Sequence, residues 1–131
     1  MSRKRVLDSF ALLAYLKKED KYKKVKDLLS SKDAVLVMNE INLGECFYIL
    51  ARERDIDGAE YFIHNILPNL PIQRISNSFR DVIEAAKIKA EHPLSYADCF
   101  VIQTSLRENA PLITGDPEFK KAEKLVQVEW L

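Results

Sequence analysis

Short apolar runs alternate with longer segments of helical periodicity along almost the whole chain. The runs at residues 3–7 and 112–114 are too short to be helices and are bounded by capping or turn residues, as strands are. Between such runs, apolar residues recur at helical spacing, as Tyr22, Val25 and Leu28 do. Because strands that alternate with helices usually pair in parallel, the sequence predicts an α/β fold with a mainly parallel central sheet of about five strands flanked by helices.

The same pattern predicts where the individual elements lie. Strands are expected at residues 3–7, 34–38, 72–75, 112–114 and 126–129. Helices are expected at residues 9–18, 21–31, 59–67, 95–108 and 119–124, with two more beginning after Asn39 and after Ser76. The charged stretch at residues 52–57, which Gly58 follows, is expected to be a turn.

The size and composition of the chain are those of one globular domain. It has 131 residues, of which 47% are hydrophobic, and this suffices for a single domain over residues 1–131 with a buried core. Cys46 and Cys99 lie among apolar residues, so we expect reduced, buried thiols, as in a cytoplasmic protein. Asp8 interrupts the apolar run that follows basic residues 3–5, so no signal peptide is expected, and no stretch approaches the length of a membrane span.

The charges are unevenly distributed although the net charge is zero. Residues 1–32 carry ten Lys and Arg against four Asp and Glu, a net of +6, whereas residues 33–131 carry ten against sixteen, a net of −6. A cationic segment beside acidic residues suits a site that binds a metal ion and attracts a polyanion. A solvated basic helix face explains the same composition more simply, and the sequence leaves both explanations open.

Four acidic residues lie inside or at the end of apolar segments: Asp8, Glu45, Asp98 and Asp116. Unpaired carboxylates are costly to bury, so four in apolar surroundings need a shared explanation. Two follow strands and two lie near helix starts, so all four could meet at one end of a parallel sheet, where ligands collect. A divalent cation would neutralise such a cluster, and ligation by oxygen alone selects Mg²⁺ or Mn²⁺. Such ions can activate water and stabilise an in-line phosphoryl transition state.

Each acidic residue also has a local explanation. Asp8 is a good N-cap for the helix that follows it, and Asp116 precedes a proline, as turn residues often do. Glu45 could face solvent on its helix. Asp98 lies at the third position after a capping Ser95, where the helix dipole favours a negative charge.

Two hydroxyls and a second glutamate lie close in sequence to these residues. Ser9 and Thr114 could bind ordered water or a phosphate oxygen, or they could serve only as capping and strand-end residues. Glu40 is an alternative to Glu45, but it falls at the very start of its helix. The chain has no glycine-rich phosphate loop, and neither histidine has a partner at zinc spacing.

Four segments carry the acidic residues in a fixed order along the chain. They are Val6-Leu7-Asp8-Ser9, Asn42-Leu43-Gly44-Glu45, Leu94-Ser95-Tyr96-Ala97-Asp98 and Leu112-Ile113-Thr114-Gly115-Asp116. In this order and in their strand and helix context, they resemble the PIN-domain nucleases, and within them the VapC-type ribonuclease toxins of the VapBC toxin–antitoxin systems. The resemblance covers almost the whole chain.

The resemblance implies metal-dependent cleavage of single-stranded or structured RNA, with Mg²⁺ or Mn²⁺ as the cofactor. It also implies a small antitoxin as protein partner and a homodimer. The implied site residues are Asp8, Glu45, Asp98 and Asp116 for metal binding and catalysis, with Ser9 and Thr114 beside them or in contact with phosphate. The basic residues that could contact RNA phosphates are Lys17, Lys18, Lys21, Lys23, Lys24 and Lys26.

Two other functions stay open at this point. One is a non-catalytic RNA-binding or RNA-processing assembly module with the same fold, although clustered carboxylates would only repel a polyanion there. The other is a phosphate-transfer receiver or phosphatase with Asp8 as the acceptor. That class needs a basic residue near the last strands, where this chain has Thr114-Gly115-Asp116 instead.

Overall fold

The five strands of the chain form one parallel sheet in a computed structural model that describes residues 3–131. The strands are β1 (Lys4–Leu7), β2 (Val35–Asn39), β3 (Ile72–Ile75), β4 (Leu112–Thr114) and β5 (Val128–Trp130). They lie in the order β3-β2-β1-β4-β5, and every neighbouring pair is parallel. The predicted α/β fold with a parallel central sheet is therefore confirmed.

Helices cover both faces of this sheet. They are α1 (Ser9–Leu16), α2 (Tyr22–Ser30), α3 (Glu40–Glu53), α4 (Ile56–Tyr61), α5 (Phe79–Glu91) and α6 (Tyr96–Glu108). A π-helical turn at Phe62–Ile66 and a 3-10 turn at Leu67–Asn69 follow α4, and a second 3-10 segment at Pro117–Ala122 follows β4. No helix within residues 3–131 is long and apolar enough to cross a membrane.

Neighbouring residues of the strands point to opposite faces, and the two faces form two cores. Val6 packs with Val37 and Leu112 in the core that α5 and α6 cover. Leu7 and Ile113 belong to the core on the other face, which α1 to α4 cover. Because both faces are buried at β2 and β4, these strands read in the sequence as continuous apolar runs rather than alternating ones.

The direction in which the sheet grows reverses at β1. Strands β2 and β3 lie on one side of β1, whereas β4 and β5 lie on the other. Leu7 pairs with Ile113, so the chain segments that leave β1 and β4 begin side by side. In open parallel sheets, ligands bind in the crevice at such a reversal, at the carboxyl ends of the strands. Asp8 directly follows β1, and Asp116 lies two residues after the end of β4.

The boundary between α3 and α4 differs from the sequence prediction. The predicted turn at residues 52–57 is wrong, because α3 continues to Glu53 and α4 already begins at Ile56. The physical reason is the side chain of Asp55, which accepts the N–H of Gly58 at 2.6 Å and caps the helix. Gly58 therefore lies inside a helix rather than in a turn.

Two further boundaries move for reasons of hydrogen bonding. Ser78, not Ser76, caps α5, because Ser78 and Asp81 form a reciprocal capping box. The last strand begins at Val128, two residues later than predicted, because the N–H of Val126 donates to the carbonyl of Ala122 at 3.1 Å and stays in a turn. The predicted buried, free thiols of the two cysteines are confirmed.

A buried carboxylate joins α5 to α6. Asp81, which is 5% exposed, accepts hydrogen bonds from Arg107 at 2.5 Å and from Gln103 at 2.8 Å. Burial acts to raise the pKa of Asp81, but the Ser78 N–H and the Arg107 guanidinium outweigh it, so the pKa lies below its ordinary value. These contacts fix the position of α6, whose first turn carries Asp98.

Replacing Arg107 with alanine should lower the free energy of unfolding by about 2–4 kcal/mol, because it leaves Asp81 buried without its cationic partner. Urea unfolding at pH 7 measures the loss. The matched control is Lys87→Ala, which removes the exposed 3.2 Å pair with Glu84 on α5 and should cost less than about 1 kcal/mol. Equal losses in the two variants would contradict a structural role for the buried pair.

Candidate functional site

Asp8 lies at the junction of β1 and α1 and is held there by both of its oxygens. It is 3% exposed, and its Oδ1 accepts the N–H of Ala11 at 2.8 Å, which caps α1. Its Oδ2 accepts the hydroxyl of Thr114, the last residue of β4, at 2.5 Å. The predicted N-cap is therefore confirmed, and the same carboxylate also joins two adjacent strands.

Thr114 extends this contact to Asp116. The Thr114 hydroxyl accepts the N–H of Asp116 at 3.0 Å while it donates to Asp8. Asp116 in turn caps the 3-10 segment, because its Oδ1 accepts the N–H of Glu118 at 3.0 Å. A continuous chain of hydrogen bonds thus fixes the two aspartates relative to each other across the sheet reversal.

Asp98 approaches from the helix on the other face of the sheet. It is the third residue of α6, and its N–H donates to the hydroxyl oxygen of the N-cap Ser95 at 3.1 Å. The side chain is half-buried. The helix N-terminus favours its negative charge, as the sequence indicates.

Glu45 is half-buried on α3 and contacts Asn42, whose structural role the sequence did not reveal. Asn42, which is 1% exposed, donates through Nδ2 to the carbonyl of Ala97 at 3.1 Å and to Glu45 Oε1 at 3.4 Å. It therefore joins α3 to the first turn of α6, beside Asp98. The signal in the sequence is an asparagine within the apolar stripe of a helix, where it needs a hydrogen-bond partner.

The four carboxylates influence one another electrostatically. Burial, with smaller contributions from the charges of Asp98 and Asp116, raises the pKa of Asp8 to about 7, against the opposing hydrogen bonds from Thr114 and Ala11. Burial likewise raises the pKa of Asp98 to about 6, with Glu45 and Asp116 among the charges that add to it. Within residues 3–131, none of the four forms an ion pair with a lysine, arginine or histidine.

The donor atoms around this cluster fit a hard divalent cation. As the side chains stand in the described part of the chain, no three carboxylate, imidazole or thiol groups are close enough to share one ion. The cluster is therefore open, and its side chains must converge to bind an ion together. All four charged donors are oxygens, and the buried Oδ1 of Asn42 has no hydrogen-bond partner among residues 3–131. Oxygen donors with uncompensated negative charge are the ligands that Mg²⁺ and Mn²⁺ prefer.

Other residues singled out in the sequence lie around the cluster or away from it. Ser9 is half-buried as the first residue of α1, and its carbonyl accepts the Cys46 thiol at 3.9 Å. Glu40 is exposed and pairs with Arg74 of β3 at 3.4 Å. Lys17 pairs with Glu53 at 3.1 Å, so its charge is partly compensated by the protein.

The sequence model of the PIN domain matches residues 5–125. The chain belongs to the PIN domain family. The match spans all four acidic residues.

Solved structures of PIN domain proteins share this architecture. The chain superposes with a TM-score of 0.76 on a chain of VapBC2 from Rickettsia felis, crystallised with a DNA fragment of its promoter, at 17% identity over 98% of both chains. It is similar to VapC20 from Mycobacterium tuberculosis, a toxin that cleaves the sarcin-ricin loop, with a TM-score of 0.75 and 17% identity over 90% and 94% of the two chains. It is also similar to FitAcB from Neisseria gonorrhoeae, with a TM-score of 0.69 and 16% identity over 97% and 96%. No curated protein sequence matches the chain significantly.

Replacing Asp8 with asparagine should stabilise this PIN domain at pH 8 in the absence of metal. The Asp8 carboxyl keeps its proton to about pH 7 in the folded chain, whereas an aspartate in an unfolded chain loses it near pH 3.8. The folded state therefore loses stability as the pH rises between these values, and asparagine, which caps helices equally well, removes that loss. Urea unfolding in EDTA should show a gain of roughly 1–3 kcal/mol at pH 8 that shrinks towards pH 4.

The matched control for this prediction is Asp33→Asn, in an exposed loop, which should change the free energy of unfolding by less than about 0.5 kcal/mol at either pH. A gain for Asp8→Asn that does not depend on pH would mean that the charge of Asp8 is not the cause.

Proposed function

We propose that the chain is a divalent-metal-dependent endoribonuclease that hydrolyses RNA phosphodiester bonds. Asp8, Glu45, Asp98 and Asp116 would be its metal-binding and catalytic residues, with Ser9 and Thr114 beside them. One observation carries the proposal: the four carboxylates lie close enough at the sheet reversal to act on one another electrostatically, and the pKa values of Asp8 and Asp98 are raised. Within residues 3–131, none of the four has a cationic partner. A fold gains no stability from such an arrangement, so its explanation is a ligand.

The contacts assign different tasks to the carboxylates. Asp8 is fixed through both oxygens, so it would anchor the ion at an unchanging place on the sheet. Asp98 and Asp116 approach it from a helix and from the end of β4. When bound, Mg²⁺ or Mn²⁺ supplies an electrophile that polarises the scissile phosphate and offsets its negative charge. Within residues 3–131, the 3.4 Å contact from Asn42 is the only hydrogen bond to the Glu45 carboxylate. Glu45 would accept a proton from the water that attacks phosphorus as the P–O bond to the leaving ribose breaks, and the departing oxygen would take a proton from solvent.

The biological role of this activity follows from similarity and is part of the proposal. Some structures with the same fold belong to toxin–antitoxin systems, and another is VapC20, a toxin that cleaves the sarcin-ricin loop. At identities of 17% and below, these similarities establish the shared fold but not a shared role. We propose, as the simplest extension, a cytoplasmic RNA-cleaving toxin that a small antitoxin holds inactive.

The proposal also includes a homodimer and a basic path for the RNA. Exposed apolar side chains on α5, Phe79 and Ile83, would suit contact with a second copy. The lysines of α2 and of the turn before it would attract RNA phosphates towards the acidic cluster. They form one basic segment: Lys18, Lys21, Lys23, Lys24 and Lys26.

The direct test is cleavage of a labelled pool of single-stranded RNA by the wild type and by Asp98→Asn. The wild type should cut with Mg²⁺ or Mn²⁺ and not with EDTA. Asp98→Asn should lose at least about 100-fold in rate, since one group that stabilises transition-state charge acts on this scale. Its circular dichroism and thermal unfolding should show that it remains folded.

A matched pair of glutamates gives the control on α3. Glu45→Gln should abolish cleavage, whereas Glu40→Gln, at the exposed start of the same helix, should leave it within about twofold. Full activity in a folded Asp98→Asn variant would refute the assignment. RNA binding without cleavage, and without metal binding by calorimetry, would instead support the RNA-binding assembly module.

A further inference from the structure

Two exposed aromatic residues lie within two positions of a carboxylate of the cluster, and neither is assigned a role in the metal site. Phe10 is 40% exposed and lies two residues after Asp8. Tyr96 is 46% exposed and lies two residues before Asp98. We call Phe10 and Tyr96 the aromatic rim.

The ring of Phe10 lies against the backbone between Thr114 and Asp116. A Cβ atom added to Gly115 would lie 2.5 Å from Cε1 of Phe10, which is closer than atoms can approach. Only glycine therefore lets the ring rest on this loop. One part of the ring is fixed against the segment that carries Asp116, and the rest faces solvent.

Tyr96 is fixed in a different way. It is the first residue of α6, and its ring packs edge-to-face on Phe100, with centroids 4.9 Å apart and planes at 62°. Phe100 is 3% exposed and belongs to the core. The exposed part of Tyr96 therefore stands on a rigid base in the first turn of the helix that carries Asp98.

Single exposed apolar side chains are common on protein surfaces and need no function by themselves. The aromatic rim differs from them in two respects. Each ring lies on the first turn of a helix whose start holds one of the four carboxylates, Asp8 as the N-cap of α1 and Asp98 in the first turn of α6. Both rings are also held by specific contacts. A rigid ring loses little conformational entropy when a second ring stacks on it.

We propose that the aromatic rim stacks unpaired nucleobases on either side of the phosphodiester bond that lies at the carboxylates. This inference rests on the proposed RNA-cleaving function and specifies its substrate as a strand whose bases are free at the cut. Carboxylates repel the phosphates of such a strand, so an uncharged attraction beside them would add to the hold that the lysines and the cation provide. Stacking on aromatic rings supplies this attraction for any base, whereas bases inside a duplex are already stacked and cannot use it.

The test measures RNA binding with Asp98→Asn, so that the strand stays intact. A short single-stranded RNA carries the fluorescent base 2-aminopurine at successive positions, and stacking quenches its fluorescence. Adding Phe10→Leu or Tyr96→Leu should weaken binding about 10-fold each and abolish quenching at one position. Adding Phe10→Tyr or Tyr96→Phe, which keep a ring, should change affinity by less than about twofold.

Two controls separate stacking from damage to the fold. Tyr61→Leu removes a 60% exposed ring far from the carboxylates. Tyr61 lies beside Leu16, the last residue of α1, which is about 12 Å along that helix from Asp8. This variant should leave RNA binding unchanged. Gly115→Ala should displace the Phe10 ring and lose the same quenching, but it should add no further loss when Phe10 is already leucine. This non-additivity keeps the test valid even if Phe10→Leu proves unstable.

Binding to the annealed duplex should be at least about 10-fold weaker than binding to the single strand. Equal binding of strand and duplex, or unchanged binding and quenching in the leucine variants, would overturn the proposal and leave the rings as contacts for a protein partner. Failure of the nuclease proposal can be told apart from failure of the stacking proposal. If Phe10→Leu cleaves RNA in a metal-dependent way with an unchanged KM, the chain is a nuclease but the aromatic rim does not stack bases. If RNA binding depends on the aromatic rim but the wild type does not cleave, the rim stacks bases but the chain is not a nuclease.

Discussion

The burial of the Asp8 carboxylate between β1, β4 and α1 is the constraint on which the rest of the site depends. One carboxylate caps a helix, joins two strands through Thr114 and presents its charge at the place where the sheet reverses direction. These contacts hold Asp8 in one position, but they do not remove the cost of its charge, because its pKa is still raised to about 7. The fold therefore maintains an arrangement that a cation would stabilise.

The surrounding helices position Asp98 and Glu45 relative to Asp8. The Asp81–Arg107 pair fixes α6 on α5, and Asn42 joins α3 to the first turn of α6, so Asp98 and Glu45 are positioned by contacts outside the cluster. Stability is thus concentrated in the two cores and in the buried pair, whereas the cluster itself is electrostatically unfavourable. This division is typical of binding and catalytic sites, where a rigid scaffold holds groups that repel one another.

Much of this could be predicted from the sequence, and the exceptions have physical causes. Asp8, Asp98 and Asp116 were predictable because each follows a strand or begins a helix, where a local pattern reveals it. The order of the strands was not, because pairing across the sheet depends on contacts between residues far apart in sequence. The contact that Asn42 makes was not predictable, because its partner, the carbonyl of Ala97, lies 55 residues away. The contact between the Phe10 ring and Gly115 was equally unpredictable, because a glycine in the sequence does not show which side chain packs against it.

The central claim is that the four carboxylates exist to hold a divalent cation at the sheet reversal. The most direct measurement is a crystal structure with Mn²⁺, in which anomalous scattering locates the ion without reference to the protein. We expect one strong peak coordinated by Asp8 together with oxygens of Asp98 and Asp116, and no such peak in Asp98→Asn. A site that remains empty at saturating Mn²⁺, or an ion bound only elsewhere on the surface, would contradict it.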